Sequence, residues 1–360
     1  MREVVFVLSS LCDPHYRKRV EEFVEHGYKV KVYGYKRYNQ NIQKFPVEPH
    51  ILGEISNRDY VKRLRLFYTS IKSIANECKG RLCFYSSLDI AMFARALIRT
   101  RYIYEICDLT ELCVNNKLLR KLLIWQNKKT VAHSVKTILT SEGFIDFFKT
   151  LPNDKICLIP NKVSPKCEQI ENLVRKFNRD KIRIGFVGVI RFSTIYTFVK
   201  VCAEKFHNIE IHLFGIYSDG DEYSEKIKDL EKKYDSIIFH GRFTNPNDLP
   251  VIYSKIDMLL CTYTPSPGVI YAEPNKLYEA IFFRCPIIVN SNTFLGHKVE
   301  KLKIGYIVDA TNESQIETFI SHIDEESYNE RVKNCENIPI VDCINNNSHL
   351  FDAIDQYTNQ

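Results

Sequence analysis

Short apolar runs alternate with longer stretches in which apolar residues recur every three or four positions, and the alternation persists along most of the chain. Val4 to Leu8 is an unbroken apolar run closed by Ser-Ser-Leu-Cys-Asp-Pro, the pattern of a strand buried on both faces with a loop behind it. Tyr16 to His26 then carries Val20, Phe23 and Val24 at helical spacing and stops at Gly27, where a C-cap glycine belongs. Lys29 to Tyr35 supplies a second strand. These elements predict a β-α-β unit whose right-handed crossover implies a parallel sheet covered by helices.

The alternation continues with a helix over Arg58 to Cys78, a strand at Leu82 to Tyr85, a helix at Asp89 to Arg99 and a strand at Tyr102 to Ile106. A long helix follows at Lys117 to Ser134, then strands at Val135 to Leu139 and Lys155 to Ile159. Residues 166–181 are polar, charged and without apolar period, as a connector would be. A second series opens at Ile182 to Val187. Its further strands are expected at Glu210 to Phe214, Ser236 to His240, Met258 to Tyr263, Pro286 to Asn290 and Tyr306 to Val308. Helices are expected between them at Tyr196 to Glu204, Glu222 to Tyr234, Asn247 to Ser254 and Asn275 to Phe283. The expectation is an α/β chain of two doubly wound Rossmann-like domains, residues 1–165 and 182–340, with 341–360 a tail and the chain past Glu325 helical or irregular.

Length agrees, because 360 residues exceed the roughly 250 to 300 at which single cores stop growing. Charge is divided unevenly. Residues 1–165 hold 28 Lys and Arg against 16 Asp and Glu, whereas the remainder holds 22 against 28, so a net +12 is followed by a net −6. Such asymmetry points to an anionic partner for the first half. The 12 cysteines form no CxxC pair, and Cys12, Cys107, Cys202, Cys261 and Cys285 lie in or beside apolar runs, the setting of buried thiols in a reduced, cytoplasmic protein. The five-residue apolar run at the amino terminus is too short for a signal peptide, and no window is long and apolar enough for a spanning helix. Membrane contact is therefore expected to be peripheral, at the inner face. Nucleic-acid binding is not expected, since no recognised motif or concentrated basic run occurs.

Ligands of open α/β sheets bind beyond the carboxyl ends of the strands, and two such domains facing each other would enclose a cleft. In the first domain Asp13, His15 and Arg17 follow the first strand, and Asp108 follows the fourth. In the second, Gly188 and Arg191 follow the first strand, while Gly241 to Phe243 follow the third. The most informative stretch is Thr264-Pro-Ser-Pro-Gly leading through Tyr271-Ala-Glu-Pro-Asn-Lys-Leu-Tyr-Glu-Ala into a helix. Its amino terminus, with Lys276 beside it and Arg191 as a second cation, suits a diphosphate, because the dipole and the charges all favour an anion. Glu279 suits ribose hydroxyls.

Glu273-Pro-Asn-Lys-Leu-Tyr-Glu-Ala-Ile followed by Pro286-Ile-Ile-Val resembles the donor-site signature of GT-B glycosyltransferases of family 4, group 1, the capsule and polysaccharide enzymes in particular. Tyr104-Glu-Ile-Cys-Asp108, Thr140-Ser-Glu-Gly-Phe144 with Pro160-Asn161, Gly185-Phe-Val-Gly188 and Phe239-His-Gly-Arg-Phe243 extend the likeness in order over roughly residues 1–310. The resemblance implies a retaining, metal-independent transfer with a nucleotide-sugar as co-substrate and no further cofactor. The donor would sit on the second domain, and the first would hold a lipid-diphosphate-linked or oligosaccharide acceptor. It implies that Arg191 and Lys276 hold the diphosphate, Glu279 the ribose, and that Gly188 leaves the phosphates room. Asn275 and the Gly241 to Phe243 backbone complete the donor contacts. Arg191, Lys276, Glu273 and Asp108 are the catalytic candidates, and Asp13, His15 and Arg17 the acceptor contacts. Two positions depart from the pattern: Tyr271 stands eight residues before Glu279, where a glutamate is usual, and no lysine follows Arg191 in its loop.

Two rival readings remain. A sugar-nucleotide epimerase of the same architecture would need a pair of carboxylates with a histidine at strand ends, which the sequence does not display. A non-catalytic nucleotide-sugar binder is compatible with the two departures. Asp219-Gly-Asp221 looks like a metal-binding DxD, but its place before a charged helix favours a turn with an N-cap. His212, His240 and His133 read as structural. Residues 58–81 form a basic amphipathic stripe able to lie on anionic lipid.

Overall fold

A computed structural model describes residues 2–56, 59–170 and 173–358. It divides into two compact units, Met1–Ile159 joined by Asn346–Gln360, and Pro160–Asn345. The first holds a seven-stranded parallel sheet in the order β3-β2-β1-β4-β5-β6-β7. Its strands are β1 Glu3–Leu8, β2 Lys29–Arg37, β3 His50–Ile55, β4 Leu82–Tyr85, β5 Tyr102–Ile106, β6 Lys136–Leu139 and β7 Ile156–Leu158. The second holds a six-stranded parallel sheet in the order β10-β9-β8-β11-β12-β13. Those strands are β8 Ile182–Ile190, β9 Ile209–Tyr217, β10 Ile237–Gly241, β11 Met258–Cys261, β12 Ile287–Asn290 and β13 Gly305–Val308. Both units are doubly wound, as the alternation of patterns predicts. In each, the strand order reverses direction at the pair beside the first strand, β1 with β4 and β8 with β11.

The central strands are legible because they are buried on both faces: Val4, Val5, Phe6, Val7 and Leu8 are fully buried. β3 was not expected. It is an edge strand whose His50-Ile-Leu-Gly-Glu-Ile is mostly half-buried or exposed, so it carries no continuous apolar run. The helices Phe294–Leu302 and Glu313–His322 were also not expected. The expected helix over 58–78 is two pieces, Tyr60–Ser73 and Ala75–Cys78, and Arg58 lies outside the described residues.

The segment expected as a connector packs into the second unit. Arg175 donates to the carbonyls of Phe283 at 2.9 Å, Ile256 at 2.7 Å and Tyr253 at 3.0 Å, fastening it to a helix end and a strand entry. Residues 171 and 172 of that segment, and 359 and 360 of the tail, lie outside the described residues. The tail region contains the helix Ser348–Thr358, which returns to the first unit. Leu350, Phe351 and Ile354 enter the core around Phe23, and the Phe351 ring lies 4.9 Å from that of Phe23. Tyr28 donates to Asp355 at 2.7 Å.

Candidate functional site

A pair of glycines, one on β8 and one on β9, shapes the approach to the end of β8. Gly188 and Gly215 are register partners on β8 and β9, and a Cβ on Gly215, at φ +139, would stand 1.8 Å from the Gly188 carbonyl oxygen. Gly188 itself, at φ +150, has open space where its side chain would be, with only the Phe186 ring 3.7 Å away. β8 runs on to Ile190, so Gly188 lies inside the strand rather than at its end. Arg191 and Phe192 then lead into the helix Ser193–Lys205, whose N-cap, Phe192, has no side-chain acceptor to offer. The exposed Arg191 guanidinium lies 5.1 Å from the Phe192 ring, which packs 5.0 Å from that of Tyr263.

β11 carries the chain to Tyr263 and the loop toward the second helix start. Ser193 and Thr264 share a hydrogen bond of 2.9 Å, Thr194 donates to the Thr262 carbonyl, and Phe294 N–H donates to Ile270 at 2.7 Å. The loop is thus pinned to both flanking elements. It ends at Pro274, the N-cap of the helix Asn275–Phe282, which again provides no side-chain cap. The first N–H groups of both helices are left without a side-chain acceptor, the condition under which a helix start favours an anion.

Lys276 and Glu279, one turn apart on this second helix, are both buried. Lys276 Nζ donates to Glu279 Oε2 at 2.6 Å, Tyr253 donates to the same oxygen at 2.8 Å, and Asn275 donates to Oε1 at 2.7 Å. A carboxylate has about four lone-pair sites and an ammonium three protons, so each group retains capacity for a further partner. Lys276 Nζ also stands 5.9 Å from the Phe243 ring, beyond β10, whose final residue Gly241 sits at φ +79. Burial pushes the Tyr263 hydroxyl well up, Cys261 and Glu279 add to the rise, and Arg191 opposes it. Glu279 and Arg191 therefore act on one side chain.

The structure brings Asn275, Lys276, Glu279 and Phe243 together. Glu273 belongs to a neighbouring cluster: it accepts from Lys298 at 2.7 Å and from Tyr278, and its side chain is fully buried. Lys298, on the unexpected helix Phe294–Leu302, left no sequence signal beyond its charge. Tyr253, 26 residues from Glu279 in sequence, was likewise missed. Asp221 caps the helix Glu222–Lys233 by accepting from Ser224 N–H at 2.9 Å, the turn-and-cap role expected of the Asp219-Gly-Asp221 motif. His212 and His240 stack 5.2 Å apart within the sheet.

In the first unit Asp13 is the N-cap of the helix Pro14–Glu25, accepting from His15 N–H at 2.9 Å. Arg17 pairs with Glu21 at 2.9 Å. His15 points inward: its Nε2 lies 3.1 Å from Glu105 Oε1, the oxygen that accepts from Arg19 at 2.7 and 3.1 Å. Burial works against a charge on Glu105, but Arg19 and then His15 outweigh it and hold the carboxyl down to about 2. Glu105 Oε2 is buried with no hydrogen-bond partner among the described residues. Sequence reasoning gave Glu105 no role, although a charge inside the buried strand Tyr102–Ile106 demands a partner and so was a usable signal. Asp108 is exposed just beyond that strand.

No family model matches the chain. The succinoglycan biosynthesis protein ExoL of Rhizobium meliloti (strain 1021) is 21% identical over 384 residues, covering 99% of this chain and 91% of its own. Among solved structures, a sucrose-phosphate synthase from Thermosynechococcus elongatus matches with a TM-score of 0.74 at 17% identity, over 100% of this chain and 99% of that one. HepE of Anabaena, in complex with UDP and glucose, matches with a TM-score of 0.66 at 12% identity, over 98% and 99% of the two chains. Two parallel, doubly wound sheets joined in this order, matched over the whole chain, establish the fold as GT-B.

Proposed function

We propose that the protein is a glycosyltransferase that moves a sugar from a nucleotide-sugar to an acceptor used in surface polysaccharide assembly. The observation that carries this reading is the buried Lys276–Glu279 pair at the uncapped start of its helix, in a unit of GT-B fold. HepE binds UDP and glucose and ExoL is a succinoglycan biosynthesis protein, both of which support the reading. Lys276 and Arg191 take the donor diphosphate, Glu279 and Asn275 the ribose, and the Gly241 to Phe243 backbone the base. Glu273 holds Lys298 and Tyr278 beside them.

Transfer breaks the bond between the anomeric carbon and the diphosphate oxygen and forms one to the acceptor oxygen. The nucleoside diphosphate leaves with the bonding pair, and the acceptor hydroxyl gives its proton to the departing diphosphate. Fixed cations act on the charge that develops on the leaving group, and removing one such group costs about a hundredfold in rate. Asp13, His15, Arg17 and Asp108 serve a lipid-diphosphate-linked or oligosaccharide acceptor, the family resemblance being what assigns it to the basic first unit. Retention of configuration and independence of a metal follow from the same resemblance, and transfer in the presence of a chelator with product anomers resolved checks both.

The test of donor binding is a thermal-shift panel of nucleotide-sugars and nucleoside diphosphates. A ligand at a hundred times its Kd stabilises the protein by about 2.7 kcal/mol. At least one is expected to raise the midpoint of the native chain and to fail with Lys276→Ala. No shift with any of them sinks the proposal.

A further inference from the structure

The Lys117–His133 helix of the first unit reverses the usual distribution of side chains. Beside the buried Val131 its inward face is polar: Tyr104 donates to Asn127 at 3.1 Å, Asn127 to Glu111 at 2.6 Å, and Arg95 to Thr130 at 3.0 Å. Its outward face carries Leu118, Leu122 and Trp125, which are 79%, 52% and 53% exposed. Their spacing of four and three residues aligns them in one stripe along the helix. A stripe of this kind is ordinarily the part of a helix that a core covers.

The same helix bears Lys117, Arg120, Lys121, Lys128 and Lys129, and the sequence contains no Asp or Glu from residue 112 to residue 141. None of the five cations forms an ion pair with a carboxylate among the described residues; Lys129 lies 5.0 Å from the Trp125 ring and Lys128 5.6 Å from that of Phe147. The helix Tyr60–Ser73, the basic stripe that the sequence nominates for lipid, differs. Part of its charge is already paired, Lys62 with Asp59 at 2.9 Å and Arg63 with Asp89 at 3.8 Å.

We infer that the Lys117–His133 helix lies on an anionic membrane surface, with Leu118, Leu122 and Trp125 inserted at the headgroup boundary and the flanking cations reaching lipid phosphates. An apolar stripe edged by lysine and arginine is the composition that suits this interface, and long basic side chains lay their stems on the apolar layer while their charges meet the headgroups. A second copy of the chain across a twofold axis would set the five cations against their equals. A polyanion without an apolar layer would leave the leucines and the indole in water. The inference does not depend on the transferase reading.

Trp125 is the only tryptophan, so intrinsic emission reports this face directly. The full chain is titrated with vesicles of phosphatidylcholine, with and without phosphatidylglycerol. With the anionic vesicles at low salt the emission is expected to move to shorter wavelength and to become protected from an aqueous quencher. Affinity is expected to fall on the order of tenfold toward 1 M salt, where the screening length shrinks from about 10 Å at 0.1 M to about 3 Å. Leu118→Ser with Leu122→Ser, which leaves the indole in place, is expected to weaken binding about tenfold or more. Lys117→Gln with Lys121→Gln and Lys129→Gln is expected to abolish the preference for anionic lipid. All five positions are exposed, and unchanged circular dichroism and thermal midpoint confirm that the variants fold. An unmoved spectrum with anionic vesicles overturns the inference, as does an equal shift with neutral ones. A shift that grows with protein concentration in the absence of vesicles also overturns it, assigning the face to a second copy. No outcome involves a nucleotide-sugar, so its failure and that of the transferase reading are separable.

Discussion

Lys276 Nζ lies 2.6 Å from Glu279 Oε2, one turn along the same helix, with both side chains withdrawn from solvent. A buried pair of this kind gains its attraction against a large desolvation cost, and breaking it exposes that cost. Lys276→Ala leaves the buried Glu279 carboxyl with only Tyr253 and Asn275 donating to it. The variant is expected to lose about 3 kcal/mol of stability in denaturant unfolding, and Lys276→Met with Glu279→Leu to recover most of it. Recovery of stability without recovery of donor binding would separate the pair's structural work from its contribution to the site.

Acid should weaken the first unit through Glu105. Its folded carboxyl, held down to about 2 against burial by Arg19 and His15, binds its proton less tightly than the same group in the unfolded chain, about 4.3. The unfolded state then binds more protons, so stability rises with pH across this window. The contribution, on the order of 3 kcal/mol, is complete above about pH 4.3 and disappears as pH falls toward 2. Unfolding followed from pH 6 down to pH 2 should show a shallower acid loss in Glu105→Gln. Parallel profiles for the two proteins would assign the acid loss elsewhere.

The two glycines paired across β8 and β9 should respond differently to a methyl group. In Gly215→Ala the new Cβ would meet the Gly188 carbonyl oxygen at 1.8 Å, on backbone that cannot yield without parting β8 from β9. In Gly188→Ala the new Cβ would meet nothing nearer than the Phe186 ring at 3.7 Å, leaving only the strain of φ +150. Backbone strain of this sort costs about 1 to 3 kcal/mol, so Gly188→Ala should fold with reduced stability. Gly215→Ala should lose more, measured by thermal unfolding of the two side by side.

Lys298 is expected to support the site through Glu273, whose fully buried carboxylate it meets at 2.7 Å. Lys298→Met removes the charge but keeps most of the side chain's volume. Loss of thermal stability is expected, with a decrease in donor affinity that Lys298→Arg partly restores. Unchanged stability in Lys298→Met would show that Glu273 does not need this partner.

The sheets were legible where burial is local. Runs such as Val4 to Leu8 and Ile184 to Val187 are apolar because both faces of a central strand are covered, and that leaves a mark in consecutive residues. The edge strand His50–Ile55 leaves none, since one edge and much of its surface face water. Within the site, Asn275, Lys276 and Glu279 were readable as neighbours because helical spacing fixes three- and four-residue relations. The third partner of Glu279, Tyr253, comes from another helix and obeys no spacing rule. Glu105 shows the opposite case: its position in an apolar strand announced a buried charge, but the cation that neutralises it sits 86 residues away on the helix Pro14–Glu25. The return of Ser348–Thr358 to the core around Phe23 is illegible for the same reason, as its apolar face is evident only once the sheet it covers is formed.

Sugar transfer from the nucleotide-sugar that the thermal panel selects to a lipid-diphosphate-linked acceptor, with native protein, Lys276→Ala and Arg191→Ala run in parallel, decides whether Lys276 and Arg191 serve the donor diphosphate. Product is expected with the native chain, and a loss on the order of a hundredfold in each variant, the scale of removing one group that stabilises the departing charge. Near-native turnover in both variants would contradict that role.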